Sequence, residues 1–451
     1  MKLTKLTWAA LGVAVLASCS DKKTEVDNPD GPQGNGTMEA MSPEQSKEFL
    51  QNATIDFLNN FKPEEQKDII ELAAYFDAEY ADYELPDNFD IDSEPSYSPR
   101  TYLRQLAKAA KGDIDALTRA ANSYNLRVNF DRFAGVYEAS ASKEKWVRTG
   151  NSQDILFKFT DKGGMPVELK IIQSGGTSEI DFTLTDWDYE YVNGTYEEIE
   201  EKYNYYLSVP KNLTATLTQN GKQLANTTVV SSIDVKGHTI SADVDATMMN
   251  LRATAKVAGN DSKVESRTEL YANNQKIATA YATVEGSGLC DIDRYKELEN
   301  LEDDMLNDRL GDMFKSGDCG MDVLGKVQVY GQLTYYPKLF LDLDGSYDGW
   351  AFDKDREKAR KACQAACDLL NRKVKAQLRY NYTTTDQATI LFQPGFRDWD
   401  YMWEYYTQSV LLFPDDTKYS VDEYFDNFTM VSNKFDTLFD AYMKIWNQAK
   451  K

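Results

Sequence analysis

Two stretches of the chain set aromatic rings beside carboxylates: Trp187-Asp188-Tyr189-Glu190-Tyr191 and Trp399-Asp400-Tyr401-Met402-Trp403-Glu404-Tyr405-Tyr406. Such rings can stack on sugar faces while the acids accept hydroxyl hydrogen bonds. Trp399, Tyr401, Trp403, Tyr405 and Tyr406 are therefore candidate glycan contacts. The competing reading is an amphipathic edge, one side buried and the phenol hydroxyls outward. Asp342-Leu343-Asp344-Gly345-Ser346-Tyr347-Asp348 clusters carboxylates as a hard cation requires. Its glycine comes too early for a calcium-binding loop, so a surface turn accounts for it better. Paired carboxylates could hydrolyse glycosides, but with 73 acids some pair meets the required separation by chance, and no pair is singled out. His238 is the one histidine, which excludes a histidine-rich zinc site and leaves little room for a histidine-based triad. No glycine-rich phosphate loop and no Gly-x-Ser-x-Gly elbow occurs. The reading assigns no catalytic residue, no metal site and no cofactor.

Cys290, Cys319, Cys363 and Cys367 could form two disulfides in an exported chain. A helix expected over Asp291–Lys315, roughly 37 Å long at 1.5 Å per residue, would hold Cys290 and Cys319 apart. Cys363 and Cys367 lie one turn apart on another expected helix. At most one bridge is expected, or none, with the remaining thiols buried. Cys-x-x-x-Cys lacks the two further soft ligands of a zinc site.

The elements that would position these groups follow from periodicity. Ser42-Pro43-Glu44-Gln45 is a helix start, with Ser42 as N-cap, Pro43 at the first turn and Gln45 closing a capping box. Two helices follow over about 43–76, and a third is expected over Tyr102–Tyr124. At Val128 the apolar period changes from about 3.6 to 2, the signature of strands. Asn220-Gly221 between alternating runs is a strong hairpin signal, and Asn273-Asn274 sits in a similar frame. Past Cys290 the pattern predicts a strand within Gly325–Tyr336, a long helix over Ala351–Tyr380 and a strand near Asp386–Pro394. Two aromatic helices, Trp399–Leu412 and Val421–Trp446, would close the chain. The expected fold is α+β: a large twisted antiparallel β-sheet flanked by an N-terminal helical region and C-terminal covering helices.

At the N-terminus, Lys2 and Lys5 precede an apolar run, Leu6 to Leu16, that ends in Leu16-Ala17-Ser18-Cys19. The run is shorter than the roughly 20 residues a membrane-spanning helix needs and reads as a secretory signal. The last four residues resemble the lipobox of bacterial lipoproteins, which implies cleavage before Cys19 and acylation, palmitate included, of that thiol. Losing Lys2 and Lys5 takes the formal charge from −23 to −25. A field of that sign repels nucleic acid and anionic lipid heads.

The lipobox, the opening Ser42-Pro43-Glu44-Gln45-Ser46-Lys47-Glu48 and the motif Leu213-Thr214-Ala215-Thr216-Leu217-Thr218-Gln219-Asn220-Gly221-Lys222 together resemble Bacteroidetes envelope lipoproteins. That resemblance implies an outer-membrane lipid anchor and no particular activity. Facing the surface or the periplasm stays open, because Ser20-Asp21-Lys22-Lys23 carries mixed charge. Residues 1–18 read as signal peptide and 19–41 as a lipidated flexible tether. Residues 42–127 read as an N-terminal helical region and 128–289 as an antiparallel sheet region. Residues 290–451 read as mixed helices and added strands packing on the sheet. The leading functional expectation is a non-enzymatic protein that binds a small ligand or an envelope partner. A glycan-binding or glycan-processing lipoprotein and a structural or adhesion subunit are the alternatives.

Overall fold

The computed structural model describes residues 38–86, 126–192, 195–298, 309, 311–334, 347–399, 402–426 and 428–450. Cys19, most of the tether, the helix expected over Tyr102–Tyr124 and Tyr401 lie outside the described residues. The fold is broadly α+β, with strand outweighing helix and most strand pairs antiparallel. The chain divides into two compact units, each assembled from separated stretches.

The described residues open as the sequence predicts. Helix α1 (Pro43–Leu58) starts at Ser42, whose hydroxyl accepts from the Gln45 N–H while the Gln45 side chain accepts from the Ser42 N–H. Such a cap is worth about 1 kcal/mol. A 3-10 turn (Pro63–Gln66) leads into α2 (Lys67–Glu79).

One unit comprises Asp68–Met249, Ile292–Asn300 and Trp446–Lys451. Its strands are β1 (Leu126–Asn129), β2 (Gly135–Ser140), β3 (Lys145–Gly150), β4 (Ile155–Thr160), β5 (Pro166–Val192), β6 (Thr195–Gln219), β7 (Lys222–Asp234) and β8 (Thr239–Met248). They pair in the order β3-β2-β4-β5-β6-β7-β8, and β1 lies alongside β6. Two of these pairings, β1–β6 and β2–β4, are parallel, where hairpin links alone predict antiparallel neighbours throughout. The chain returns from β3 to the far side of β2, so β4 runs with β2. Leu72 on α2 packs on Val167 and Leu224, and Phe76 joins Tyr137, Trp146 and Ile155 in a second cluster.

The other unit comprises Met1–Lys67, Asn250–Asp291 and Leu301–Ile445. It holds β9 (Leu251–Gly259), β10 (Lys263–Ala272), β11 (Gln275–Gly286), β12 (Phe314–Val323), β13 (Val327–Thr334), β14 (Tyr347–Asp348), β15 (Val374–Tyr380), β16 (Ala388–Trp399), β17 (Met402–Leu412) and β18 (Lys418–Ser420). The order β9-β10-β11-β12-β13-β15-β16-β17-β18 is antiparallel throughout. The short α3 (Ile292–Leu298) belongs to the first unit; among the described residues the later helices are α4 (Arg356–Lys373), α5 (Val421–Asp426) and α6 (Thr429–Ala449), whose last residues, from Trp446, also fall in the first unit.

Side chains alternate across a strand, so each sheet has two chemically separate faces. In this second unit one face is apolar and carries helices. Leu50 and Ala53 of α1 and Tyr424 of α5 cluster with Val327, Leu378, Tyr380, Ala388 and Leu411. Ala359, Cys363, Cys367 and Leu370 of α4 cluster with Leu333, Val374, Phe392, Trp403 and Tyr405. Full burial of each such side chain contributes about 1.5–3 kcal/mol.

Three expectations fail here. The helix predicted over Asp291–Lys315 begins as α3, but Phe314 and Lys315 already belong to the strand β12. The helix predicted over Ala351–Tyr380 ends at Lys373 and passes directly into β15, where Val374, Ala376, Leu378 and Tyr380 are buried in strict alternation. The helix predicted over Trp399–Leu412 is instead the strand β17 with the end of β16. Aromatic residues on both of its faces hide the period of 2.

Candidate binding face

The four described residues of the five aromatics singled out by sequence do not share a surface. Trp403 and Tyr405 lie on the helix-bearing face, where Arg356 of α4 stands 5.4 Å over the Trp403 ring and bonds Asp398 at 3.0 Å. Trp399 and Tyr406 project from the opposite face, since they pair across the hairpin with Met402 and Gly395. Tyr401 is outside the described residues.

That opposite face supplies a second, less obvious constellation. Cross-strand register places Arg267, Tyr281, Gly320, Tyr330 and Gln377 in one row across β10, β11, β12, β13 and β15. The next row toward one end reads Glu265, Thr283, Asp318, Gln332 and Lys375. The row toward the other end reads Glu269, Thr279, Asp322, Gln328 and Arg379. None of these residues belongs to the two helix-packed clusters.

Gly320 shapes the centre. A Cβ there would come within 2.4–2.5 Å of the Tyr281 ring and hydroxyl, so the phenol end of Tyr281 lies over bare backbone. Glycine inside a strand marks such close approach. Burial, with the Asp318 carboxylate beside it, lifts the Tyr281 phenol well above its ordinary value. Burial also lifts Tyr330 and raises the Asp318 carboxyl, the latter against the pull of Lys263.

The rim of the face is internally satisfied. Glu269 accepts from both Arg267 Nε and Nη2 (3.1 and 2.8 Å) and from the Tyr271 hydroxyl (2.5 Å). Burial opposes ionisation of Glu269, but these partners and Lys276 outweigh it and hold its carboxyl at about 2. Gln328 and the Tyr382 hydroxyl donate to Asp322 at 2.6 and 2.9 Å. Arg379 lies 5.2 Å over Tyr330 and bonds Asp386 at 2.6 Å.

The centre is half-buried and makes few bonds within the fold. Among the described residues no side-chain hydrogen bond engages Tyr281, Tyr330, Thr283, Asp318 or Gln332. The Thr279 hydroxyl is fully buried with no partner, in a residue 8% exposed. Unsatisfied buried polar groups cost about 1–3 kcal/mol unless a solvent or ligand group meets them. Chemically, the patch offers one aromatic platform, hydroxyls, an amide and a carboxyl in a ring of closed ion pairs.

The four cysteines are apart from this chemistry. All four are free thiols, Cys290 half-buried and Cys319, Cys363 and Cys367 buried. Cys363 and Cys367 are both buried one turn apart on α4, and the neighbouring Cys363 together with burial pushes the Cys367 thiol up.

Sequence reasoning passed over the patch because Ala278–Val284 reads only as an alternating strand. The available signal was a glycine inside an apolar-polar alternation, at Gly320. No family model, curated protein or solved structure matches the chain.

Proposed function

We propose that the chain is an envelope lipoprotein, anchored at the outer membrane through acylated Cys19, that binds a ligand non-enzymatically on the face around Tyr281. The reading takes its sheets as twisted and flanked by the N-terminal helical region and the C-terminal helices. The observation that carries it is the contrast between a half-buried centre without side-chain hydrogen bonds inside the fold and its hydrogen-bonded rim. These half-buried side chains leave their bonding groups to solvent or a ligand, and the Thr279 hydroxyl beside them is buried without a partner. The side chains around them cannot turn inward to help, because their own bonds are already made.

Two measurements test the reading. Cells fed an alkyne analogue of palmitate should label the wild-type chain, and Cys19→Ala should abolish the label and release the protein from membranes. Hydroxyl-radical footprinting of the full chain with detergent-solubilised envelope extract should protect Tyr281 and Tyr330. Equal oxidation with and without extract would overturn the assignment of this face.

A further inference from the structure

We infer that the ligand of this face is a neutral carbohydrate chain, laid across β11, β12 and β13 with one sugar ring on Tyr281; this rests on the reading of the face as the binding surface.

The platform comes first. Tyr281 lies over Gly320, so one side of its ring faces backbone. Arg267 and Tyr330 flank Tyr281 and interact with it electrostatically, and among the described residues neither stacks on its ring. Tyr281 is half-buried, so part of its ring stays open to a ligand, and an aromatic surface of that kind suits the apolar side of a pyranose. The second observation is the hydrogen-bonding complement. Sugars carry dense neutral hydroxyls that donate and accept at once. The hydroxyls of Tyr281, Tyr330 and Thr283 and the amide of Gln332 do the same, and none is engaged within the described residues. The third is Thr279, a polar side chain more than nine-tenths buried with no partner, one row from Tyr281. With strands about 4.8 Å apart and rows about 6.7 Å apart, the patch measures roughly 10 by 13 Å. That suits a short run of sugar rings.

Other ligand classes fit less well. A peptide adding as a strand needs an open edge. Here β11, β12 and β13 are each laddered on both sides. Nucleic acid meets a chain of net charge −23. Uronic or sulfated sugars meet Asp318, Glu265 and Glu285 near the patch.

The test uses the full chain in detergent. Titration calorimetry would run against hexasaccharides of glucose, mannose and N-acetylglucosamine, with a hexagalacturonate as the acidic comparator. At least one neutral hexasaccharide should bind. Tyr281→Ala should weaken it about tenfold or more, and Tyr281→Phe about two- to fivefold. Gly320→Ala keeps the ring but displaces it, and should weaken binding at least about fivefold. Gln332→Ala, on the open face, guards against a folding defect at Tyr281 and should also weaken binding. Trp350→Ala, at an 84% exposed residue outside the patch, should leave affinity unchanged. The inference is overturned if no neutral hexasaccharide binds, if the galacturonate binds best, or if affinity ignores all three positions.

Footprinting separates this failure from that of the broader reading. Periodate cleaves vicinal diols and spares most protein contacts. Protection of Tyr281 that survives periodate treatment of the extract but not protease treatment would mean a protein partner. That sinks the carbohydrate and keeps the face. Absence of any protection sinks both.

Discussion

Two tyrosines in the same sheet use the same device and end differently. Tyr281 lies over Gly320 and Tyr406 lies over Gly395, each directly across a strand pair. Over Tyr406, the Arg397 guanidinium sits 4.1 Å from the ring and reaches Glu404 at 3.3 Å. That ring is closed from both sides and belongs to the framework. Arg267, across the strand pair from Tyr281, is turned to Glu269 instead, and among the described residues Thr283, Asp318 and Gln332 beside it make no side-chain hydrogen bond. A glycine under an aromatic ring is thus a structural motif by default. What distinguishes a binding platform is the state of the other ring face and of the surrounding polar groups.

The contrast between the two faces of the sheet gives the largest expected effect. Leu378 and Gln332 lie on neighbouring strands and point to opposite sides. Leu378 is 7% exposed and packs in the cluster with Leu50, Tyr380 and Phe413. Leu378→Ala should cost about 2–5 kcal/mol through lost transfer energy and a residual cavity. Gln332→Ala should change stability by less than about 0.5 kcal/mol, because nothing depends on its amide within the fold. Urea denaturation of both variants checks the pair. Equal losses would mean that the face around Tyr281 is also a packed core.

The two glycines come next. A Cβ at Gly395 would lie 2.5–2.8 Å from the Tyr406 ring, which Arg397 presses from above. Gly395→Ala should therefore cost about 1–3 kcal/mol, the usual penalty of overpacking. Gly320→Ala meets the far end of Tyr281. Among the described residues no cation stacks on that half-buried ring, so it has more room to tilt than Tyr406, and the stability loss should be the smaller of the two. Thermal unfolding of both variants measures the difference. A reversed order would show that the outward face of Tyr281 is also closed.

Legibility in the sequence followed the strength of local signals. The capping box at Ser42 and Gln45 and the hairpin at Asn220-Gly221 are short-range and self-sufficient. Asn220 and Gly221 take φ of 48° and 76°, as a two-residue hairpin turn demands. Asn273 and Asn274 repeat it at 50° and 63°. Both hairpins also carry a register shift two or three residues before the turn, at Leu217/Thr218 and Leu270/Tyr271. Signals failed where two elements meet with no punctuation. Lys373 ends α4 and Val374 begins β15 with no glycine or proline between them. The binding face failed for another reason. Its rows join β10, β11, β12, β13 and β15, drawn from residues 263 to 380, and only register brings Tyr281, Asp318 and Gln332 together. The Trp399–Tyr406 cluster had the opposite fate: adjacency in sequence suggested one surface, and strand alternation divided it in two.

The smallest effect concerns two carboxylates on the same face, and it sharpens the distinction between rim and centre. Glu269 on the rim is held at about 2 by its donors, below its usual range. A depressed folded value means that its contribution is fully present above the unfolded value near 4.3 and is lost as pH falls toward about 2. Asp318 in the centre is raised by burial. In that case the folded state holds its proton more tightly than the unfolded one. Stability then falls as pH climbs from about 3.9 through the folded value, and the cost persists at neutral pH. Solvent screening keeps either effect below about 1 kcal/mol. Glu269→Gln should therefore lower stability at pH 7 and much less at pH 2.5. Asp318→Asn should raise stability at pH 7 and leave it nearly unchanged at pH 2.5. Chemical denaturation at the two pH values reads the sign. Destabilisation by Asp318→Asn at pH 7 would show that its carboxylate has a partner, and would place it with the rim.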